Sequence, residues 1–437
     1  MVWEGNDAFD SSNCQTITSP RIDLLLWTLV RHPEYARFVS IVSLQAIGYH
    51  AGQVSWFKPE LPPSLEPLDE LFEHVARTFD VLPSVDWASA ANENSLGAVV
   101  ALFLLVCQNI TALTLGIELT RGNKFLSAIL RHKAFHPVCS EISGFKKLKY
   151  VRIGLKILEE LGPKPILKDI VACNLDPLAY LPFFSCPALE TAVMKLPDMD
   201  VTSNSVWSTH APHSSSLRSL RLQESQLSPA SLGLLLSPTM PILDLSVDYL
   251  WNYDYDLDLI ALRRSLETVK NTLTHLTFSC QTWSRRDTRP GLVDTYGRDN
   301  NHILGACSLR NFHALVSVQI SPTILLGRFR RTAVAPALAD VLPANLVNLC
   351  FRRDFGPASS FYRSSEWPAR EFLRHSTEFI QGRRWTQSHA RLRRYDLARS
   401  APWFSKDQRE TMRLLCSENG LICQCSAEDI DFEAPDE

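Results

Sequence analysis

Asp254, Asp256 and Asp258, in the run YDYDLDL, are three carboxylates at alternate positions, the spacing with which a calcium loop begins. Such a loop needs glycine at its sixth position for a sharp turn and a bidentate glutamate at its twelfth. Leu259 and Ser265 stand at those positions, so the aspartates are expected to form an acidic first turn beside the positive end of a helix. Cys416, Cys423 and Cys425 could share a soft metal only if a fourth ligand came from elsewhere; with no CxxC pair and no second knuckle they are expected to be buried thiols. His210 and His213 flank Pro212 in a serine-rich stretch, where neither helix nor strand would fix their geometry, and are expected on an exposed loop. The chain contains no HExxH, GxSxG, GxxxxGK[ST] or GxGxxG. No catalytic residue, metal ligand or cofactor is therefore predicted. The enzymatic alternative is a site built on loops at a strand-end crevice, with converging carboxylate, His or Cys groups of perturbed pKa.

Between Phe351 and Ser400 lie eleven arginines and five acids, interleaved with Trp367, Phe372 and Trp385. Cations with aromatic rings between them could hold nucleic acid through phosphate contacts and stacking. The simpler expectation is a solvated, arginine-rich terminal cap offset by the acidic tail 426–437, so nucleic acid is not the favoured partner.

At 45% hydrophobic and 21% charged residues, with a formal charge of −3, the composition excludes collagen, disorder and a disulfide scaffold. Near-neutral charge favours neither nucleic acid nor a membrane surface. The opening MVWEGNDAFDSSN lacks the basic start and apolar core of a signal peptide. The longest apolar run, Leu96 to Cys107, falls short of the roughly 20 residues that a membrane helix needs. Eleven cysteines without pairing rhythm fit a reducing compartment. The expectation is a cytoplasmic or nuclear protein with no membrane partner.

The elements that would position any site follow from one recurring pattern, L-x-x-L-x-L. Its clearest copies are Ile110/Leu113/Leu115, Leu148/Val151/Ile153, Leu217/Leu220/Leu222, Leu273/Leu276/Phe278, Leu315/Val318/Ile320 and Leu346/Leu349/Phe351. Weaker copies begin at Val39, Leu167, Leu189, Met240 and Leu392. The closing alternation is the period of a strand with one buried face. Stretches of helical period lie between copies: Leu68 to Phe79, Phe125 to Leu130, and Leu259/Leu262/Leu266/Val269. Ser405 with Gln408 makes a capping box, and Asn419-Gly420 a left-handed stop before Leu421 and Ile422. The fold class predicted is α/β: a curved solenoid of alternating short parallel strands and helices, degenerate and leucine-rich-repeat-like, over residues 21–425. Residues 1–20 would be poorly ordered and 426–437 an acidic tail.

The chain resembles the large fungal proteins in which an F-box precedes irregular leucine-rich repeats. The resemblance rests on RIDLLLWTLVRHPEYARFVSIVSL (Arg21 to Leu44), NITALTL, ALVSVQISPTILLG (Ala314 to Gly327), VLPANLVNLCF (Val341 to Phe351) and MRLLCSENGLICQC. It implies a substrate-receptor-type module with a protein partner and, by the same resemblance, ubiquitin-ligase subunits. The F-box that would dock the ligase adaptor should precede RIDLLLWTL, where only about twenty polar residues stand, so its absence is expected.

With the apolar positions of each copy turned inward, the third, fifth and seventh project from the concave sheet face. These are Arg152; Ser219, Arg221 and Gln223; His275, Thr277 and Ser279; Ser317 and Gln319; Asn348 and Arg352; Arg394 and Asp396. Small, polar and cationic groups suit hydrogen bonding to a folded partner or an acidic peptide. The loops Gln281 to His302 and Thr202 to Ser216 are further places for recognition.

Overall fold

The computed structural model describes residues 2–4, 22–45, 70, 73–74, 96–120, 123, 125–129, 145–155, 181–196, 216–236, 240–252, 256–283, 303–329, 335–352, 367–382, 389–398 and 404–424. Asp254, His210, His213, Trp385, Cys425, the copy at Leu167, most of the Leu68–Phe79 helix, nearly all of the two long loops and the acidic tail lie outside them. The chain is α/β and forms two compact units, Met1–Pro197 with Pro212–Leu217, and Asp198–Ala211 with Arg218–Glu437.

In the first unit, strands β1 (Val2–Glu4), β2 (Ile41–Gln45), β3 (Ala112–Gly116), β4 (Tyr150–Leu155) and β5 (Thr191–Met194) lie side by side in chain order, each parallel to the next. In the second, β6 (Ser219–Ser225), β7 (Asp244–Asn252), β9 (His275–Trp283), β11 (Ser317–Ile320), β12 (Asn348–Arg352) and β13 (Arg394–Ala398) do the same. A ribbon the alternation did not announce, β8 (Leu257–Asp258) with β10 (Ile303–Leu304), stands apart.

The alternation explains why these segments are strands. The three apolar residues of each clear copy are at most 1% exposed, while their neighbours point to the other face. Burying such a side chain contributes about 1.5–3 kcal/mol, so each short strand is held by its inward residues more than by propensity. A second regularity precedes the strands. The carbonyl of the second residue in each copy accepts the backbone N–H of its counterpart in the next: Ser40 from Thr111, Thr111 from Lys149, and Lys149 from Glu190 in the first unit. In the second unit the series runs Arg218 from Leu243, Leu243 from Thr274, Thr274 from Val316, Val316 from Val347 and Val347 from Arg393, at 2.8–2.9 Å.

That series corrects one expectation. The copy assigned to Met240 begins instead at Ile242: Ile242, Leu245 and Val247 are buried, while Leu243 is 41% exposed. The apolar density of MPILDL allows either start, and only the pairing of Leu245 with Leu220 and Leu276 decides between them.

Between strands the chain turns back through short helices whose starts are set by side chains. Ser228 and Ser321 each accept the N–H three residues on, with Pro229 and Pro322 occupying the first helical position. The Asp258 carboxylate accepts from the N–H groups of Ile260 and Ala261, both at 2.9 Å, and begins the helix Leu259–Glu267. The Ser405–Gln408 capping box is reciprocal, and Gly420, at φ +72°, closes the helix Lys406–Glu418. The apolar run at Leu96 becomes the eleven-residue helix Leu96–Val106, buried from Ala98 onward. No helix among the described residues is long and apolar enough to cross a membrane.

Candidate functional site

Parallel, in-register pairing converts the outward strand positions into rows. In the second unit one row runs Ser219, Asp244, His275, Ser317, Asn348, Arg394, and the next Arg221, Ser246, Thr277, Gln319, Cys350, Asp396. Farther along the strands Asp248 pairs with Ser279. The structure thus brings every residue expected on this face in the second unit onto one sheet, with Arg352 one position beyond the second row's level on β12.

Arg221 and Arg394 are each paired with a carboxylate on this face. Arg221 lies 3.5 Å from the Asp244 carboxylate, which also accepts the Ser219 hydroxyl at 3.0 Å. Asp248 accepts from the Ser279 hydroxyl at 2.9 Å and from the Gln281 amide at 3.4 Å. Burial pushes the Asp248 carboxyl above its ordinary value and the charge of neighbouring Glu224 adds to the rise, while the Ser279 hydrogen bond, the Glu224 backbone hydrogen bond and the charge of Arg352 oppose it. Glu224 itself sits at φ +43° where the β6–β7 register shifts, a left-handed conformation that a non-glycine residue adopts at a cost of about 1 kcal/mol or more. At the far end Arg394 donates to Asp396 and to the Gln424 side chain, and Asp396 also accepts the Gln424 backbone N–H at 2.8 Å. Asp396 is therefore buried, although its strand position points outward.

The centre of the face is different. Ser246, Thr277, Ser317, Gln319 and Asn348 are partly exposed, and their side chains make no hydrogen bond to any described residue. His275 is exposed, its Nδ1 2.9 Å from the Thr274 hydroxyl. The Gln223 side-chain oxygen is enclosed without a partner among the described residues.

In the first unit the corresponding rows are Ile41, Ala112, Tyr150, Thr191 and Ser43, Thr114, Arg152, Val193. Ile41 is 52% exposed, and Phe38, just before the strand, 81%. Arg152, the cation expected here, has its Nε enclosed without a hydrogen-bond partner among the described residues.

Sequence reasoning overlooked Asp244, Ser246 and Asp248 because the outward positions were read from the clear copies and the one at Leu392 alone; the start at Met240 already turns Asp244 and Ser246 outward and loses only Asp248. Starting at Ile242 puts all three on the face, and the pattern Ile242-x-x-Leu245-x-Val247 was there to be read.

The other chemical candidates take structural places. Cys416 is buried in the core as a free thiol, whereas Cys423, expected to be buried, is partly exposed; no group of three or more His, Cys, Asp or Glu side chains placed to hold a metal ion occurs among the described residues. Trp367 and Phe372 of the arginine-rich stretch are buried, so neither offers a ring to a nucleic-acid base. Trp367 donates to the Gly327 carbonyl at 3.0 Å and stacks edge-on against His375. Arg374 is held by Glu371 and Glu378 on its own helix, Ala369–Gln381. A small void beside the helices of the second unit is lined by Leu222, Leu232, Val247, Leu262 and Phe278 and belongs to the apolar core.

No protein-family model and no curated protein matches this chain.

Proposed function

We propose that the chain is a protein-recognition module, a degenerate leucine-rich-repeat-like solenoid whose open sheet face receives the partner, with no catalytic residue. By resemblance it is a substrate-receptor-type module of the F-box group or a descendant without the box, acting in the cytoplasm or nucleus. One observation carries this reading. In-register parallel strands line up hydroxyl and carboxamide groups that have no partner among the described residues, with the exposed His275 imidazole beside them, so that a broad, largely polar face is presented by a rigid scaffold. Helices and loops occupy the connections, so the sheet face is where side chains from many copies can act together.

The test is affinity purification of the parent chain beside a folded variant carrying His275→Ala, Gln319→Ala and Asn348→Ala, with co-purifying proteins identified by mass spectrometry. A partner retained by the parent and lost by the variant supports the face as the site, and ligase subunits among the partners support the F-box kinship. A partner that binds both equally overturns the assignment of the face.

A further inference from the structure

Two of the arginines that make an acidic partner attractive from sequence are matched by a carboxylate on the same face. Arg221 is held by Asp244 and Arg394 by Asp396. An acidic peptide would have to displace a carboxylate already in place, exchanging one ion pair for another with little gain. The groups left over lie on the middle strands: Ser246, Thr277, Ser317, Gln319 and Asn348, none charged, none bonded to a described residue. Hydroxyls and carboxamides both donate and accept. A carboxamide presents one N–H and one C=O side by side, the complement of a main-chain amide. Gln319 and Asn348 stand on adjacent strands, offset by one outward position, because Ser317 pairs with Asn348 and Gln319 with Cys350. No Phe, Tyr or Trp shares these rows in the second unit, and His275 is the one ring in them.

Building on the recognition reading above, we infer that the occupant of this face is an extended, uncharged polypeptide segment bound through its main-chain amides. Gln319 and Asn348 are its central contacts, and the flanking ion pairs exclude charged competitors. Neutral surface meets neutral segment, which is the charge complementarity the face permits. Affinity is consequently almost independent of ionic strength, unlike that of a phosphate-bearing or acidic ligand.

Random linear peptides displayed on phage, selected on the full-length chain, test this. Enriched peptides are synthesised and titrated against the parent, Gln319→Ala/Asn348→Ala and Arg221→Ala/Arg352→Ala, each variant first shown to keep the parent's circular dichroism and urea midpoint. The expected result is a set of peptides of near-zero charge whose binding weakens about tenfold or more with Gln319→Ala/Asn348→Ala. Their affinity should change less than about threefold between about 0.05 and 0.5 M NaCl. Charged peptides lost with the arginine pair and released by salt overturn the inference but leave the face as the site. Failure to enrich any peptide likewise overturns the extended segment alone. Peptides that bind all three proteins equally overturn the recognition reading itself.

Discussion

The sheets of the two units share one inward half and differ in their outward half. Inward, Leu113 and Leu115 in the first unit correspond to Leu349 and Phe351 in the second, all at most 1% exposed. Outward, the first unit sets Ile41, Ala112 and Tyr150 level with one another, whereas the second sets Asp244, His275, Ser317, Asn348 and Arg394 in a row. The single cation of the first unit's second row, Arg152, has an enclosed Nε without a partner among the described residues, while Arg221 and Arg394 in the rows of the second unit pair with carboxylates. Packing constrains the inward residues to be apolar in both, and nothing comparable constrains the outward ones. What differs there is available for function.

If the inward halves are equivalent, Leu113→Ala and Leu349→Ala should each cost about 3 kcal/mol in urea denaturation, the usual loss for a fully buried leucine. A cost near zero at either site breaks the equivalence.

Acid should separate the units. His375 and His389 of the second unit are buried; His375 packs edge-on against Trp367, and His389 sits 3.3 Å from the Leu342 carbonyl with its ring against Phe379. Burial lowers the pKa of both, joined at His375 by the charge of Arg374 and opposed by Glu378 and Glu371, and opposed at His389 by the Leu342 hydrogen bond. The unfolded chain therefore binds more protons than the folded one just below the ordinary imidazole value of about 6.5. Their contribution is complete above that pH and is lost as pH falls through the lowered folded values. Urea midpoints measured from pH 7.5 downward (a range of about two units) should decline, and less steeply in His375→Gln/His389→Gln. The described histidines of the first unit, His32 and His74, are exposed.

Arg152→Met should raise stability by about 1 kcal/mol by removing an enclosed, unsatisfied donor, read as a higher urea midpoint. Removal of Arg221, by contrast, should be mildly destabilising. A double-mutant cycle on Arg221 and Asp244 should give a coupling of about 0.5 kcal/mol that salt weakens, as for other exposed pairs. Phe38→Ser should change stability by less than about 0.5 kcal/mol, since the ring is 81% exposed, while reducing fluorescence of a bound hydrophobic dye.

Much of the fold was legible because alternation is a local property. Leu273, Leu276 and Phe278 carry the information that they face inward, and His275, Thr277 and Ser279 that they do not, within seven consecutive residues. The capping box at Ser405 was readable for the same reason, its donors and acceptors lying within one turn. Where apolar residues crowd, as in MPILDL, local reading slipped by two residues, which turned Leu243 inward and left Asp248 beyond the copy. The ribbon of β8 and β10 joins two-residue strands whose partners are more than forty positions apart, and so left no periodic trace.

By itself, then, the sequence determined which side chains enter the core and which leave it. Tertiary structure decided which outward groups meet. Arg221 finds Asp244, and Asp248 finds Ser279 and the field of Arg352, only because strands distant in the chain pair in register. The sign and strength of a surface charge depend on such neighbours, since a carboxylate a few ångströms away cancels a cation that composition would count as free. Arg221 and Arg394 count by composition as free cations, and their pairing leaves the uncharged residues between them as the groups without a described partner.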